Sequence, residues 1–218
     1  MNYAAKYTTL DQTANLRAGY PFRGQIQEAM GSGIGVVQLK NCNVHSGIDW
    51  AEVTETNIPE KSKTPWLENG DIVFAARGGK YYALTVRPPE QHKFGKGLLA
   101  APHFYILRVH NGVIPEFLAW QLNALPCQQY FESTAVGSVV KSMRRDALAK
   151  TPLHIPSTDQ QAQILKVVDA VHQERQIAEA LKLSGEQLLN GIAQNLKANA
   201  SRDGSGKLEL TGHGKSST

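Results

Sequence analysis

The chain has 218 residues, a net charge of +4, a pI near 9.0 and 41% hydrophobic residues. That is enough for one sizeable domain with its own core plus an appendage. It has no apolar run of about 18 residues, which excludes a transmembrane helix, and "MNYAAKYTTLDQTANL" lacks the basic start and apolar core of a secretory signal. A cytoplasmic location is therefore expected. Cys42 and Cys127 are far apart and fit no metal spacing, so they read as buried free thiols in a reducing compartment. Residues 1–156 hold 16 Lys and Arg against 12 Asp and Glu, while residues 157–218 hold 7 against 7. The positive balance lies in the first part, a weak pointer to nucleic acid until the charges are shown to cluster.

Residues 1–60 read as short strands and turns, with "GIGVVQLKN" (33–41) a buried-strand candidate. "WLENGDIVFAARGGKYYALTV" (66–86) reads as turn, strand, turn, strand, with Asn69-Gly70 opening the first strand and Gly78-Gly79 separating the two. "LLAAPHFYILRV" (98–109) reads as one further apolar strand. In "IPEFLAWQLNAL" (114–125) the period changes. Pro115 suits a first helical turn, Phe117, Leu118, Leu122 and Leu125 form an apolar stripe, and Pro126 kinks or ends the helix. A short helix is expected over 142–149 with Ser142 as its cap. Strands followed by helices, without regular βαβ alternation, predict an α+β domain.

From Ser157 the texture changes. Ser157 with Gln160, or Thr158 with Gln161, resembles a capping box. Apolar residues then recur with a heptad-like spacing, from Ile164 to Leu196. The pattern predicts a helix over 157–197, roughly 60 Å long at about 1.5 Å per residue. Arg175, Lys182 and Gly185 interrupt the stripe. Residues 198–218 read as a loose tail. The expected organisation is thus a β-rich domain over 1–156, a long helix over 157–197 and a flexible tail.

Catalytic motifs fail in informative ways. "GSGIG" (31–35) is followed by strand-like Val36-Val37 rather than a helix, so it is not a dinucleotide fingerprint. "FGKG" (94–97) also runs into a strand, and no Asn/Asp-Pro-Pro-aromatic motif exists to hold a target adenine. No P-loop is present. None of the 14 lysines has Asp or Glu two positions before it, as metal-dependent nucleases commonly require. The histidines at 45, 92, 103, 110, 154, 172 and 213 form neither an i, i+4 pair nor a triad pattern. No catalytic or metal-ligating constellation is legible.

Several stretches occur in a telling order: "GYPFRGQI" (19–26), "VVQLKN" (36–41), "WLENGDIVFAARG" (66–78), "APHFYILRV" (101–109), "PEFLAWQLN" (115–123), "GSVVKSMRRDALAKTPLHIP" (137–156) and "DQQAQIL" (159–165). Together they resemble the specificity subunits of type I restriction–modification systems, over residues 10 to 197. The junction from the Thr-Pro-Leu-x-Ile-Pro run into a Gln-rich helix carries the most weight. The resemblance implies a target recognition domain followed by a long helix. Full-length members have two such units whose helices pack as an antiparallel coiled coil. This chain has one unit and no internal repeat, so it resembles a half-size subunit, which either pairs with a second copy to rebuild the two-unit arrangement or works with a single half-site.

On that resemblance the basic stretch before the junction faces DNA and the helix faces protein. Lys141, Arg144 and Arg145, with Ser138 and Ser142 beside them, would hold a phosphate at a helix start. Arg77 is placed to reach a base edge or a phosphate, or to form a structural salt bridge; Arg23 and Lys40 are weaker candidates. Ile164, Val168, Val171, Leu181, Leu188 and Ile192 would form the helix interface. The implied partners are double-stranded DNA, an N6-adenine methyltransferase bringing S-adenosylmethionine, a restriction translocase and a second copy of the chain. This chain itself would carry no cofactor and catalyse nothing. The competing readings are a nuclease or methyltransferase acting alone, which the missing motifs oppose, and a stand-alone regulator or anti-restriction protein of the same fold.

Overall fold

The computed structural model describes residues 6–59, 64–77, 80–137 and 141–204. The chain divides into two compact units, Met1–Leu165 and Lys166–Thr218. The first is the α+β unit expected. In chain order it contains β1 (Lys6–Thr9), α1 (Leu10–Thr13), β2 (Ala14–Ala18), β3 (Ile34–Val37), a 3-10 turn (Leu39–Asn41), β4 (Cys42–Asn43), β5 (Gly47–Ile48), β6 (Thr54–Glu55), β7 (Ile72–Ala75), β8 (Ala83–Thr85), β9 (Gly97–Ala100), β10 (Phe104–Val109), α2 (Pro115–Asn123), α3 (Leu125–Thr134), α4 (Arg145–Ala149) and β11 (Pro152–Ile155). The long helix α5 (Thr158–Gly204) begins in this unit and makes up the described part of the second.

A four-stranded antiparallel sheet, ordered β2-β10-β7-β8, divides the core in two. Alternate side chains leave opposite faces of a strand. Val73 and Ala75 of β7, with Phe104 and Ile106 of β10, enter one cluster; Ile72 and Phe74, with Leu107, enter the other. This is why "IVFA" reads as a continuous apolar run rather than an alternating one: both faces are covered. The first cluster is closed by a three-stranded sheet, β6-β3-β9, in which β3 and β9 run parallel. The second is closed by α2, α3 and α4 through Leu118, Leu122, Phe131 and Leu148. Each fully buried Leu or Phe stabilises the fold by roughly 1.5–3 kcal/mol.

Several expectations change in detail. The apolar run 98–109 is two strands, not one. It breaks at Pro102-His103, so β9 joins the β3 sheet while β10 joins the central one. The helix over 114–125 ends at Asn123, because Ala124 is extended (ψ 153) and α3 starts at Leu125 with Pro126 in its first turn. Pro126 has no N–H to offer the Leu122 carbonyl, which accepts from Gln128 Nε2 at 2.8 Å instead. Leu125 consequently leaves the apolar stripe and is exposed. Gly70, at φ 92, makes the expected Asn-Gly turn and its N–H donates to Val86 O.

The capping box forms at Ser157: Gln160 N donates to Ser157 Oγ (3.4 Å) and Ser157 N to Gln160 Oε1 (3.3 Å). Gln161 does something the sequence did not disclose. It is fully buried, accepts from Ile114 N and donates to the Gly112 and Pro156 carbonyls, each at 2.8 Å. The start of α5 is thereby bonded to the entry of α2, and the boundary of the first unit falls at Leu165, inside the helix. The helix continues through Gly204, beyond the expected end at 197, so the start of the supposed tail is helical; residues 205–218 lie outside the described residues. Between Lys166 and Lys197 the helix buries almost nothing: Val171 is 38% exposed, Leu181 73%, Leu188 67% and Ile192 49%, while Ile164 and Val168 are half-buried. Among the described residues no helix is long and apolar enough to cross a membrane.

Candidate nucleic-acid interface

The basic residues near 77 and near 144 lie more than sixty positions apart in sequence, yet they meet. Beyond β7, Ala76 O accepts from Met143 N (2.9 Å), and Arg77 stands opposite Ser142 in an antiparallel bridge. Ser142 is pinned from its other side as well, exchanging backbone hydrogen bonds with Val136 at 2.9 and 3.2 Å. Met143, 1% exposed, anchors the segment in the second core cluster. Lys141 and Arg144 flank this anchored pair and are exposed, so Arg77, Lys141 and Arg144 gather in one place.

Two local expectations are corrected. The short helix α4 starts at Arg145, not Ser142, and Arg144 occupies its N-cap. Ser142 is not a cap: its N–H is committed to Val136 O and that of Met143 to Ala76 O, so a phosphate at a helix start over Ser142 does not describe the segment. What remains is cationic side chains held by a β-bridge. Arg145 is also partly committed, since its guanidinium donates to Leu16 O at 3.0 Å. Ser138 lies outside the described residues.

The arginines sort by partner. Arg108 grips the buried Asp71 through two bonds of 2.7 and 2.8 Å and pairs with Glu68, which pushes its pKa above the usual guanidinium range, the Asp71 hydrogen bond contributing most. Arg87 pairs with Glu116 at 2.6 Å and bonds Asn69 Oδ1, and Arg17 lies 3.7 Å from Asp71. These three hold the fold. By contrast, the side chains of Arg77, Lys80, Lys141 and Arg144 make no ion pair or hydrogen bond with a described residue.

Lys80 and Lys141 share a cleft of about 350 Å³ whose other lining residues are Val44, Tyr81, Tyr82, Asn123, Gln128 and Glu132. Val44 comes from the tip of the β4–β5 hairpin, where Asn43 Oδ1 accepts from His45 N (2.8 Å). Lys40 is exposed on the 3-10 turn leading into that hairpin, a turn closed by Gln38 N donating to Asn41 Oδ1. Arg23 is exposed in the loop between β2 and β3, and no contact brings it to the cleft. Burial pushes the Tyr82 phenol up to about 12, with a smaller contribution from Cys42, and raises Tyr81 as well, so both stay neutral donors at physiological pH. Sequence reasoning missed this cleft, although "KYYA" (80–83) is a readable basic-aromatic run. Among the described residues no group of three or more His, Cys, Asp or Glu could hold a metal ion. The histidines serve locally: His92 accepts from Phe94 N, and His110 Nδ1 lies 3.2 Å from Gln12 O.

Cations with no partner among the described residues, along two joined backbone segments beside an aromatic cleft, make a surface suited to a polyanion such as a nucleic-acid backbone. Residues 40–183 match the family model of the type I restriction modification DNA specificity domain, and the chain belongs to that family. No curated protein matches it. Its fold is shared with solved chains of low identity. The type I restriction-modification S subunit from M. genitalium aligns with a TM-score of 0.52 at 15% identity, over 78% of this chain and 39% of that one. The HsdS subunit from Thermoanaerobacter tengcongensis gives 0.59 at 14%, over 88% and 48%. A chain from a structure describing complex assembly and conformational transition of the type I system gives 0.65 at 15%, over 92% and 50%. This chain therefore spans half the length of those chains or less.

Proposed function

We propose that this chain reads one part of a DNA target and positions a partner N6-adenine methyltransferase, which brings the S-adenosylmethionine; in this reading the chain itself is not a catalyst and works in the cytoplasm. The observation that carries it is the Arg77–Ser142 bridge, which gathers free cations from two distant segments in a chain of the specificity-domain family. Arg144 and Lys141 are assigned to phosphates, which set register, and Arg77 to a base edge, which sets sequence. Lys40 and Arg23 are peripheral contacts in this reading. A restriction translocase joins the same assembly where the system cleaves.

A second copy of the chain supplies the other half. The supporting observation is the exposed apolar face of α5. Ile164, Val171 and Ile192 recur in steps of seven, with Ala178 and Gly185 between. A strict seven-residue repeat drifts about 20° per heptad on a straight helix, which a left-handed supercoil absorbs. Val168, Leu181 and Leu188 flank that line. Affinity capture of the tagged chain from cells co-expressing the methyltransferase tests the reading. Stoichiometric co-purification is expected; a chain that binds DNA specifically but never retains the methyltransferase would instead be the stand-alone regulator.

A further inference from the structure

We propose that the cleft between Lys80 and Lys141 is a phosphate-binding site, taking the phosphate of a nucleotide or of a nucleic-acid backbone. Its volume of about 350 Å³ falls within the usual range for ligand sites, about 300–1,000 Å³. The Asn123 amide and Gln128 Nε2 in its wall are already used. Asn123 exchanges two 2.8 Å hydrogen bonds with Ala83, and Gln128 Nε2 serves Leu122 O. Among the described residues, the uncommitted polar groups are the two lysines, the Tyr81 and Tyr82 hydroxyls, Gln128 Oε1 and the Glu132 carboxylate. The lysines come from separate segments and converge without a partner among the described residues, and against Glu132 they leave the cleft net positive.

Tyr81 supplies the independent observation. It is 7% exposed, and its hydroxyl is buried with no hydrogen-bond partner among the described residues. Stacking on Phe74 (6.3 Å) and an edge contact with Phe131 (6.0 Å) hold the ring in place. A buried unpaired O–H is costly and rare in native structures, and a bound acceptor removes the cost. Donors and cations in one wall call for an anionic oxygen, while Val44 offers an apolar surface to the sugar or base that carries it. For a backbone phosphate the inference rests on the DNA reading above; for a free nucleotide it stands without it.

The test uses the full chain with Tyr81→Phe, Lys80→Gln and Lys141→Gln variants. Isothermal titration with dAMP and anisotropy with a random-sequence duplex are both run at low salt. Tyr81→Phe should leave the melting temperature unchanged or raise it, because it removes an unsatisfied hydroxyl, yet weaken binding of the occupant roughly tenfold or more. If the occupant is a backbone phosphate, Lys80→Gln lowers the salt slope of duplex binding by about 0.9. If it is a free nucleotide, dAMP affinity falls in all three variants while duplex binding holds in Tyr81→Phe and Lys80→Gln. Duplex binding absent from the wild type with dAMP binding intact would overturn the DNA reading and leave the cleft assigned. Two results overturn the cleft: a wild type that binds neither probe, and folded variants that match the wild type on both.

Discussion

Arg144 and Arg145 are neighbours in sequence but not in role, and substituting each alone should separate DNA binding from stability. Arg144 has no side-chain partner among the described residues, whereas Arg145 donates to Leu16 O. Removing one phosphate contact lowers the log–log salt slope by about 0.9. Between 50 and 200 mM salt the wild type should then lose about 3.5-fold more affinity than Arg144→Ala, since fourfold salt raised to 0.9 is about 3.5. The melting temperature should hold, as it does for most surface substitutions. Arg145→Ala should do the reverse. Its bond to Leu16 O is half-exposed, so the loss is discounted to about 1 kcal/mol. That corresponds to about 2–4 °C in a chain of this size, with little change in slope. Fluorescence anisotropy on a labelled duplex at three salt concentrations, beside a thermal melt, reads both. A folded Arg144→Ala protein with the wild-type slope, or a larger slope change in Arg145→Ala, would refute the sorting of arginines by partner.

Arg77→Ala should weaken binding to the true site by about 1–3 kcal/mol while changing random-duplex affinity much less; an equal loss on both would move Arg77 to the phosphate contacts. Gln161→Leu strands Ile114 N and the Gly112 and Pro156 carbonyls, so urea denaturation should show a loss of about 2–4 kcal/mol; a loss below 1 would mean the three bonds are dispensable. Gly185→Ala should stabilise α5 by roughly 1 kcal/mol in the single chain, since an added Cβ meets nothing within 4 Å, and thermal circular dichroism would record it. Burial lifts the Cys42 thiol to about 12 and Cys127 to about 11, from 9.0. A raised thiol pKa favours the folded state below pH 9 and ceases to do so as pH climbs toward 12. Iodoacetamide at pH 8 should therefore label the native chain far more slowly than the unfolded one; equal rates would place these thiols in solvent.

Local chemistry was legible wherever neighbours in sequence decide it. The Asn69-Gly70 turn, the Pro115 start of α2 and the Ser157–Gln160 cap each depend on a few adjacent residues, and each formed. The break at Pro102-His103 was hidden because apolar residues continue on both sides, and period alone cannot separate two buried strands from one. The parallel pairing of β3 with β9 and the Arg77–Ser142 bridge join residues about sixty positions apart. No local pattern encodes that register, so the sequence separates the basic clusters and gives no sign that Lys80 joins them. Misplacing the short helix had the same origin: Ser142 is a good cap in isolation, but Val136 and Ala76 take the backbone amides of Ser142 and Met143 first.

In the proposed function this chain chooses where a methyltransferase acts, as one half of a symmetric reader. Single-molecule sequencing of methylated adenines in cells expressing the chain with its methyltransferase tests it most directly. Two copies of one half-site in inverted orientation across a fixed gap are expected. A four-residue insertion near Gly185 should lengthen that gap and leave the half-sites unchanged. A single undivided motif, a gap indifferent to the insertion, or methylation that persists without this chain would contradict it.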